Sequence, residues 1–126
     1  MNLPSIGQFC WNELATNDVH QAKEFYSNLL GWEFREIQSD DMTYTLICSG
    51  DKQCGGIWQI PKEQKEHIPP HWMAYILVNN VKETLEKAIK HGATEVKGVT
   101  QAGDMGSFAI IMDPVGAHIA FWEPNM

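Results

Sequence analysis

Glu13, His71 and His118 are side chains whose types could do chemistry from apolar, strand-like surroundings: "CWNEL", "PHWMA" and "AHIAF". A carboxylate and two imidazoles are donors that a divalent ion accepts, and Glu13 alone could act as a general base or pair with a cationic ligand. Strand side chains alternate between faces, so Glu13 shares a face with Trp11, His71 with Met73 and His118 with Ala120. The plainer alternatives are a hydrogen-bonded structural carboxylate at Glu13, a strand-entry residue after Pro70 at His71 and a solvent-facing imidazole at His118. His20, His67 and His91 fall on helix faces or in a connector and are solvated. Cys10, Cys48 and Cys54 are odd in number and show no CxxC spacing, which points to reduced thiols rather than a disulfide or zinc framework. There is no glycine-rich phosphate loop and no GxSxG elbow, and "GDMGS" reads as a loop before a strand.

The elements that must position these residues come in the same order twice. "GQFCWNELA" is a strand candidate, and Asn17 or Asp18 fits the cap of the helix that follows. Val19, Ala22, Phe25, Tyr26, Leu29 and Leu30 recur at helical spacing, and Gly31 suits the left-handed position past the helix end. "WEFREI", "TYTLICS" and "GGIWQI" follow as strands, with turns at "QSDDM" and "GDKQC". Next comes "PKEQKEHIPP", polar and bracketed by prolines, a surface connector over residues 61–70. The second round opens on the strand "HWMAYILV", capped at Asn79 or Asn80, with Val81, Leu85, Ala88 and Ile89 as its helical stripe and Gly92 at its end. "TEVKGV", "SFAIIM" and "AHIAFW" are its strands, and "DPVG" its turn. Setting Asp18 against Asn80 aligns the two rounds at an offset of 62. One domain over residues 1–126 follows, with module one at about 5–60 and module two at about 71–126.

Hydrophobic residues make up 44% and charged residues 20%, ordinary for a globular chain able to bury a core. The net charge of −7 repels phosphate backbones and anionic lipid, so neither nucleic acid nor a membrane is an expected partner. No apolar run approaches the roughly 20 residues of a spanning helix. "MNLPSIGQFCW" lacks a basic region followed by an apolar stretch, and a cytoplasmic protein is expected.

With "WNELATNDVHQAKEFYSNLLGW" at the front, "PPHWMAYILVNNV" in the middle and "DPVGAHIAFWEP" at the end, the chain resembles the vicinal oxygen chelate superfamily of glyoxalase I, bleomycin-resistance proteins and extradiol dioxygenases. The resemblance implies an α+β fold, two tandem βαβββ modules forming a curved mixed-sheet cup. In metal-dependent members, the first and last strands of each module each supply one His, Gln or Glu to a divalent ion, which acts as a Lewis acid. Here the first-strand places fall on Trp11 and Met73 and the closing place on Ala120. The fourth falls on Gly56, Ile57 or Trp58, according to register. None of these binds such an ion well, so neither metal nor cofactor is expected. By parity, Trp11, Trp58, Met73, Tyr75 and Trp122 line the cup, with Glu13 the nearest charge and His118 at the rim. Gly55 and Gly56 leave room beside the sheet.

That lining favours a flat or apolar ligand held by stacking. The expectation is a metal-independent, homodimeric small-molecule-binding protein that binds or sequesters a small aromatic compound. The rival is a lyase, isomerase or dioxygenase that uses a displaced metal site or Glu13 as its base. A third reading is an interaction module whose cup has collapsed on its own aromatic side chains.

Overall fold

The computed structural model describes residues 4–39 and 42–125. Among them are eight strands and two α-helices, in the order strand, helix and three strands, twice over. The first round is β1 (Phe9–Thr16), α1 (Val19–Leu30), β2 (Glu33–Ser39), β3 (Met42–Ser49) and β4 (Lys52–Gln59). A 3-10 turn at Lys62–Gln64 lies in the connector. The second is β5 (His71–Leu77), α2 (Val81–Lys90), β6 (Thr94–Ala102), β7 (Gly106–Met112) and β8 (His118–Pro124). The expected α+β fold is present.

The chain forms two compact units, one of Trp11–Met73 and the other of the chain from Ala74 onward with the segment ahead of Trp11. In the Trp11–Met73 unit the strand order is β2-β3-β4-β1. β1 and β4 run parallel, while β2, β3 and β4 form an antiparallel meander. In the other unit the order is β5-β8-β7-β6, again with one parallel pair and an antiparallel meander. There the Gly7 N–H donates to the Leu77 carbonyl at 2.8 Å and the Leu77 N–H to the Gln8 carbonyl at 2.9 Å.

Local chemistry sets the helix ends. Of the paired cap candidates, Asp18 and Asn80 do the capping: each side chain accepts the amide of the residue three further on, Gln21 or Glu83, at 3.0 Å. Gly31 ends α1 in the left-handed region, φ 72°. The turn expected over "GDKQC" is shorter than its residues suggest. Ser49 pairs directly with Lys52, because Gly50 adopts φ 65° and lets two residues reverse the chain. The tip of the "QSDDM" turn lies outside the described residues.

Each helix covers one face of its own sheet. In the Trp11–Met73 unit, Leu14, Ile47 and Ile57 form the core, packed against Val19, Ala22 and Tyr26 of α1 and against Trp32 and Phe34. In the other, Val78, Val81, Leu85, Ala109 and Ile111 do so. The apolar stripe read on α1 therefore divides. Val19, Ala22 and Tyr26 face the core, whereas Phe25, Leu29 and Leu30 are exposed. At about 100° per residue, Phe25 and Leu29 stand round the helix from that inner row.

Candidate functional site

The sheet face away from α1 carries the chemistry of the Trp11–Met73 unit. Leu14 and Ile57 are partners in the parallel β1–β4 pair and point to the α1 core. Their neighbours Glu13 and Gly56, and then Ala15 and Trp58, are partners as well, so these residues take the opposite face. Trp11 joins them by parity. In β3, Thr45 pairs with Ile57 and Ile47 lies in the core, which turns Tyr44 to the same face as Glu13.

Three of these side chains form a hydrogen-bonded line. The indole Nε1–H of Trp11 donates to the Tyr44 hydroxyl oxygen at 3.1 Å. The Tyr44 hydroxyl in turn donates to Oε2 of Glu13 at 2.7 Å. All three residues are half-buried, as is Trp58. A carboxylate in such surroundings is stabilised by a donor, and a hydrogen bond to a charged acceptor is short and strong.

Gly55 and Gly56 make this line possible. A Cβ on Gly56 would fall within the phenol of Tyr44. A Cβ on Gly55 would lie 2.5 Å from the Asn12 carbonyl oxygen. The room that these glycines were expected to leave for a ligand is thus filled by the chain itself, by a tyrosine ring at one and by backbone at the other. The sequence alone does not single out Tyr44. Its signal was an aromatic residue on the outward parity of β3, two residues before the Leu46 that pairs with Gly56.

The other unit holds the same framework with different chemistry. Tyr75 pairs with Ala120 just as Glu13 pairs with Gly56, and Ile110 pairs with Ala120 as Leu46 does with Gly56. This equivalence selects Gly56 among the three candidates for the fourth place. Two residues before Ile110 stands Phe108, the counterpart of Tyr44. The rings of Tyr75 and Phe108 meet edge to face at 6.3 Å. Tyr75 is buried, and so is Met73, the last residue of the Trp11–Met73 unit. Trp122 is half-buried, paired with both Leu77 and Phe108, and its ring would clash with a Cβ on Gly106. His118 opens β8 as an exposed residue. The imidazole Nδ1 of His71 lies 2.8 Å from the Pro69 carbonyl oxygen.

Away from these side chains, the Asp113 carboxylate accepts the amides of Val115 at 2.9 Å and Ala117 at 3.0 Å, and these bonds hold it below the usual carboxylate range. Burial pushes the Cys10 and Cys54 thiols up, and neighbouring Cys48 adds to the effect at Cys54. Open concavities of about 360 and 290 Å³ lie beside Asp18, Gln21 and Phe25 and beside Arg35, Cys48 and Asp51. Neither is lined by Trp11, Glu13 or Tyr44, so the candidate site rests on side-chain geometry.

The sequence pattern of the Glyoxalase/Bleomycin resistance protein/Dioxygenase superfamily matches residues 5–121. The chain belongs to this superfamily. It is 29% identical over 117 residues to "Putative glyoxylase CFP32" of Mycobacterium tuberculosis, a match covering 91% of this chain and 45% of that one. With "Anthracycline biosynthesis protein DnrV" of Streptomyces peucetius the identity is 22% over 132 residues, covering 95% and 48%. The chain spans about half the length of these curated relatives. Among solved structures, methylmalonyl-CoA epimerase from Mycobacterium tuberculosis is similar with TM-score 0.65 and 17% identity, covering 100% of this chain and 94% of that one. The hypothetical protein BH1468 from Bacillus halodurans is similar with TM-score 0.69 and 12% identity, covering 97% of each. These two likenesses show the fold.

The strand positions that the resemblance to metal-dependent members implies for donors carry Trp11, Met73 and Ala120, and strand register makes Gly56 the equivalent of Ala120. An indole, a thioether, a methyl and a hydrogen atom do not fit a hard or borderline divalent ion. Among the described residues, no three His, Cys, Asp or Glu side chains stand together in a way that could hold a metal.

Proposed function

We propose that this glyoxalase-superfamily member is a metal-independent small-molecule-binding protein that takes a small, flat, partly aromatic compound. The observation that carries the reading is the Trp11–Tyr44–Glu13 line on the sheet face away from α1. It fixes an indole and a carboxylate side by side, with Trp58 on the same face. Half-buried aromatic rings offer apolar area at low conformational cost and stack on a planar ligand. In this reading Glu13 orients the rings through Tyr44, and the apolar body of the ligand supplies most of the affinity. Likeness to a protein named for anthracycline biosynthesis makes an anthracycline a sensible first probe.

The test is titration of tryptophan fluorescence with an anthracycline and with simpler neutral aromatic compounds. It is run beside metal analysis and thermal-shift scans with nickel, zinc, manganese and iron(II). Saturable quenching that is lost in Trp11→Ala and largely kept in Glu13→Gln supports the reading. Stoichiometric metal, or a metal-induced rise in Tm lost in Glu13→Gln, overturns it.

A second reading is an enzyme in which Glu13 is the general base. The 2.7 Å bond from Tyr44 favours it, because it holds the carboxylate at one place. Under this reading Glu13→Gln abolishes turnover while ligand binding persists.

A further inference from the structure

The two cysteines of the β3–β4 hairpin come together through register. Leu46 pairs with Gly56 and Ile47 with Gly55, so one more regular step would set Cys48 opposite Cys54. The register shifts at that step, and Cys48 pairs with Gln53. Cys54 is thus the extra residue of a bulge, where it and Gln53 both oppose Cys48. Two residues on from Leu46 and Gly56, the two cysteines keep to one face of the sheet. The Cys54 Sγ lies 3.6 Å from the Ile47 carbonyl oxygen, which belongs to the peptide unit joining Ile47 to Cys48. The sulfur therefore already leans across onto β3. Both are free thiols, Cys54 exposed and Cys48 buried, while Cys10 belongs to the other unit. The fold does not require the pair: at the matching places of β7 and β8, Met112 faces His118 in regular register.

We propose that Cys48 and Cys54 are a reversible dithiol–disulfide site whose co-reactant is a low-molecular-weight disulfide. Exposure and burial divide the labour. The Cys54 thiolate, its proton given to solvent, attacks one sulfur of the reagent. The reagent's S–S bond breaks, and one half leaves as a thiolate that takes up a proton. The Cys48 thiolate then attacks the Cys54 sulfur, forms the Cys48–Cys54 bond and expels the second half. The cysteines are oxidised, the reagent is reduced to two thiols, and a dithiol reverses the exchange. Space selects a small co-reactant: the open concavity of about 290 Å³ beside Cys48, with Arg35 and Asp51 in its lining, suits a small polar molecule. Burial and neighbouring Cys48 push the Cys54 thiol up. A dithiol that gains little from ionising is disfavoured against its disulfide, so the bond is slow to form at neutral pH and then persists. Neither thiol belongs to the Trp11–Tyr44–Glu13 line, so the site is independent of the ligand reading.

The experiment treats the folded, pre-reduced wild type with 2-hydroxyethyl disulfide at mildly alkaline pH, where thiolates form. Timed samples are quenched with N-ethylmaleimide and mapped by peptide mass spectrometry. The expected product is a Cys48–Cys54 bond with the loss of two hydrogen atoms, Cys10 outside it, and full reversal by dithiothreitol. Cys48→Ala should stop at an adduct of one reagent half on Cys54. Far-UV circular dichroism verifies that this variant folds, and the wild-type map decides without it. A wild type that keeps the adduct on Cys54 without closing the bond overturns the proposal. So does one in which both thiols stay reduced, or in which Cys10 is the partner of either.

Discussion

The hydroxyl of Tyr44 reaches Oε2 of Glu13 at 2.7 Å across an intervening strand. Tyr44 lies on β3 and Glu13 on β1, with β4 between them. Two strand spacings are about 10 Å, too far for neighbouring side chains to touch by register alone. The ring must therefore lie down over β4, and Gly56 is the residue it crosses.

A methyl group there should be intolerable while the ring is present. Gly56→Ala is expected to destabilise the fold by about 1–3 kcal/mol, the usual cost of overpacking. In a Tyr44→Ala background the same change should cost much less, because the three atoms nearest to that methyl all belong to the Tyr44 phenol. Urea denaturation of the four proteins in the cycle checks this. Equal costs in the two backgrounds would show that Tyr44 does not occupy the space over Gly56.

Asp113 ties the turn before β8 through two amides that favour its charged form. A folded-state carboxyl held low contributes stability that is present above its unfolded pKa and is lost as pH falls through the folded value. Asp113→Asn keeps an acceptor oxygen and loses the charge. The wild type should melt higher than Asp113→Asn at neutral pH, and the gap should close on acidification below the ordinary carboxylate range. Paired thermal melts across that range test the sign, and a gap that widens in acid would contradict it.

Cys54 is exposed as a residue, yet partial burial of its thiol, which lies 3.6 Å from the Ile47 carbonyl oxygen, pushes its pKa up and disfavours the reactive thiolate. At neutral pH it should react with a disulfide reagent more slowly than a free cysteine, and accelerate only above the ordinary thiol range. Stopped-flow labelling of a Cys10→Ser variant, which keeps the buried Cys48, follows it, with mass spectrometry assigning the labelled thiol. A rate equal to that of a model thiol at neutral pH would refute the expectation.

Much of the architecture was legible because it is local. Asp18 and Asn80 cap helices through oxygens three residues from the amides they accept, and Gly31 and Gly50 reverse the chain through their own φ. Period-two alternation puts Trp11 and Glu13 on one face, as found. Counting along the strands gives Trp11, Met73 and Ala120 at the places the resemblance implies for metal donors, a matter of residue type that folding does not alter.

What the sequence determined by itself, then, is the order of elements, a pair of candidates for each helix cap, and the side-chain types at those strand positions, since all of these depend on a few neighbouring residues. Three things were decided only by tertiary structure: Gly56 as the counterpart of Ala120, Tyr44 over Gly56 against Glu13, and Phe25 and Leu29 turned outward from α1. The reason is register. Tyr44 and Glu13 are 31 residues apart in the chain, and a slip of one residue in either strand pairing would send the phenol to the other face. The packing of the whole sheet selects that register, and no window along the chain contains it.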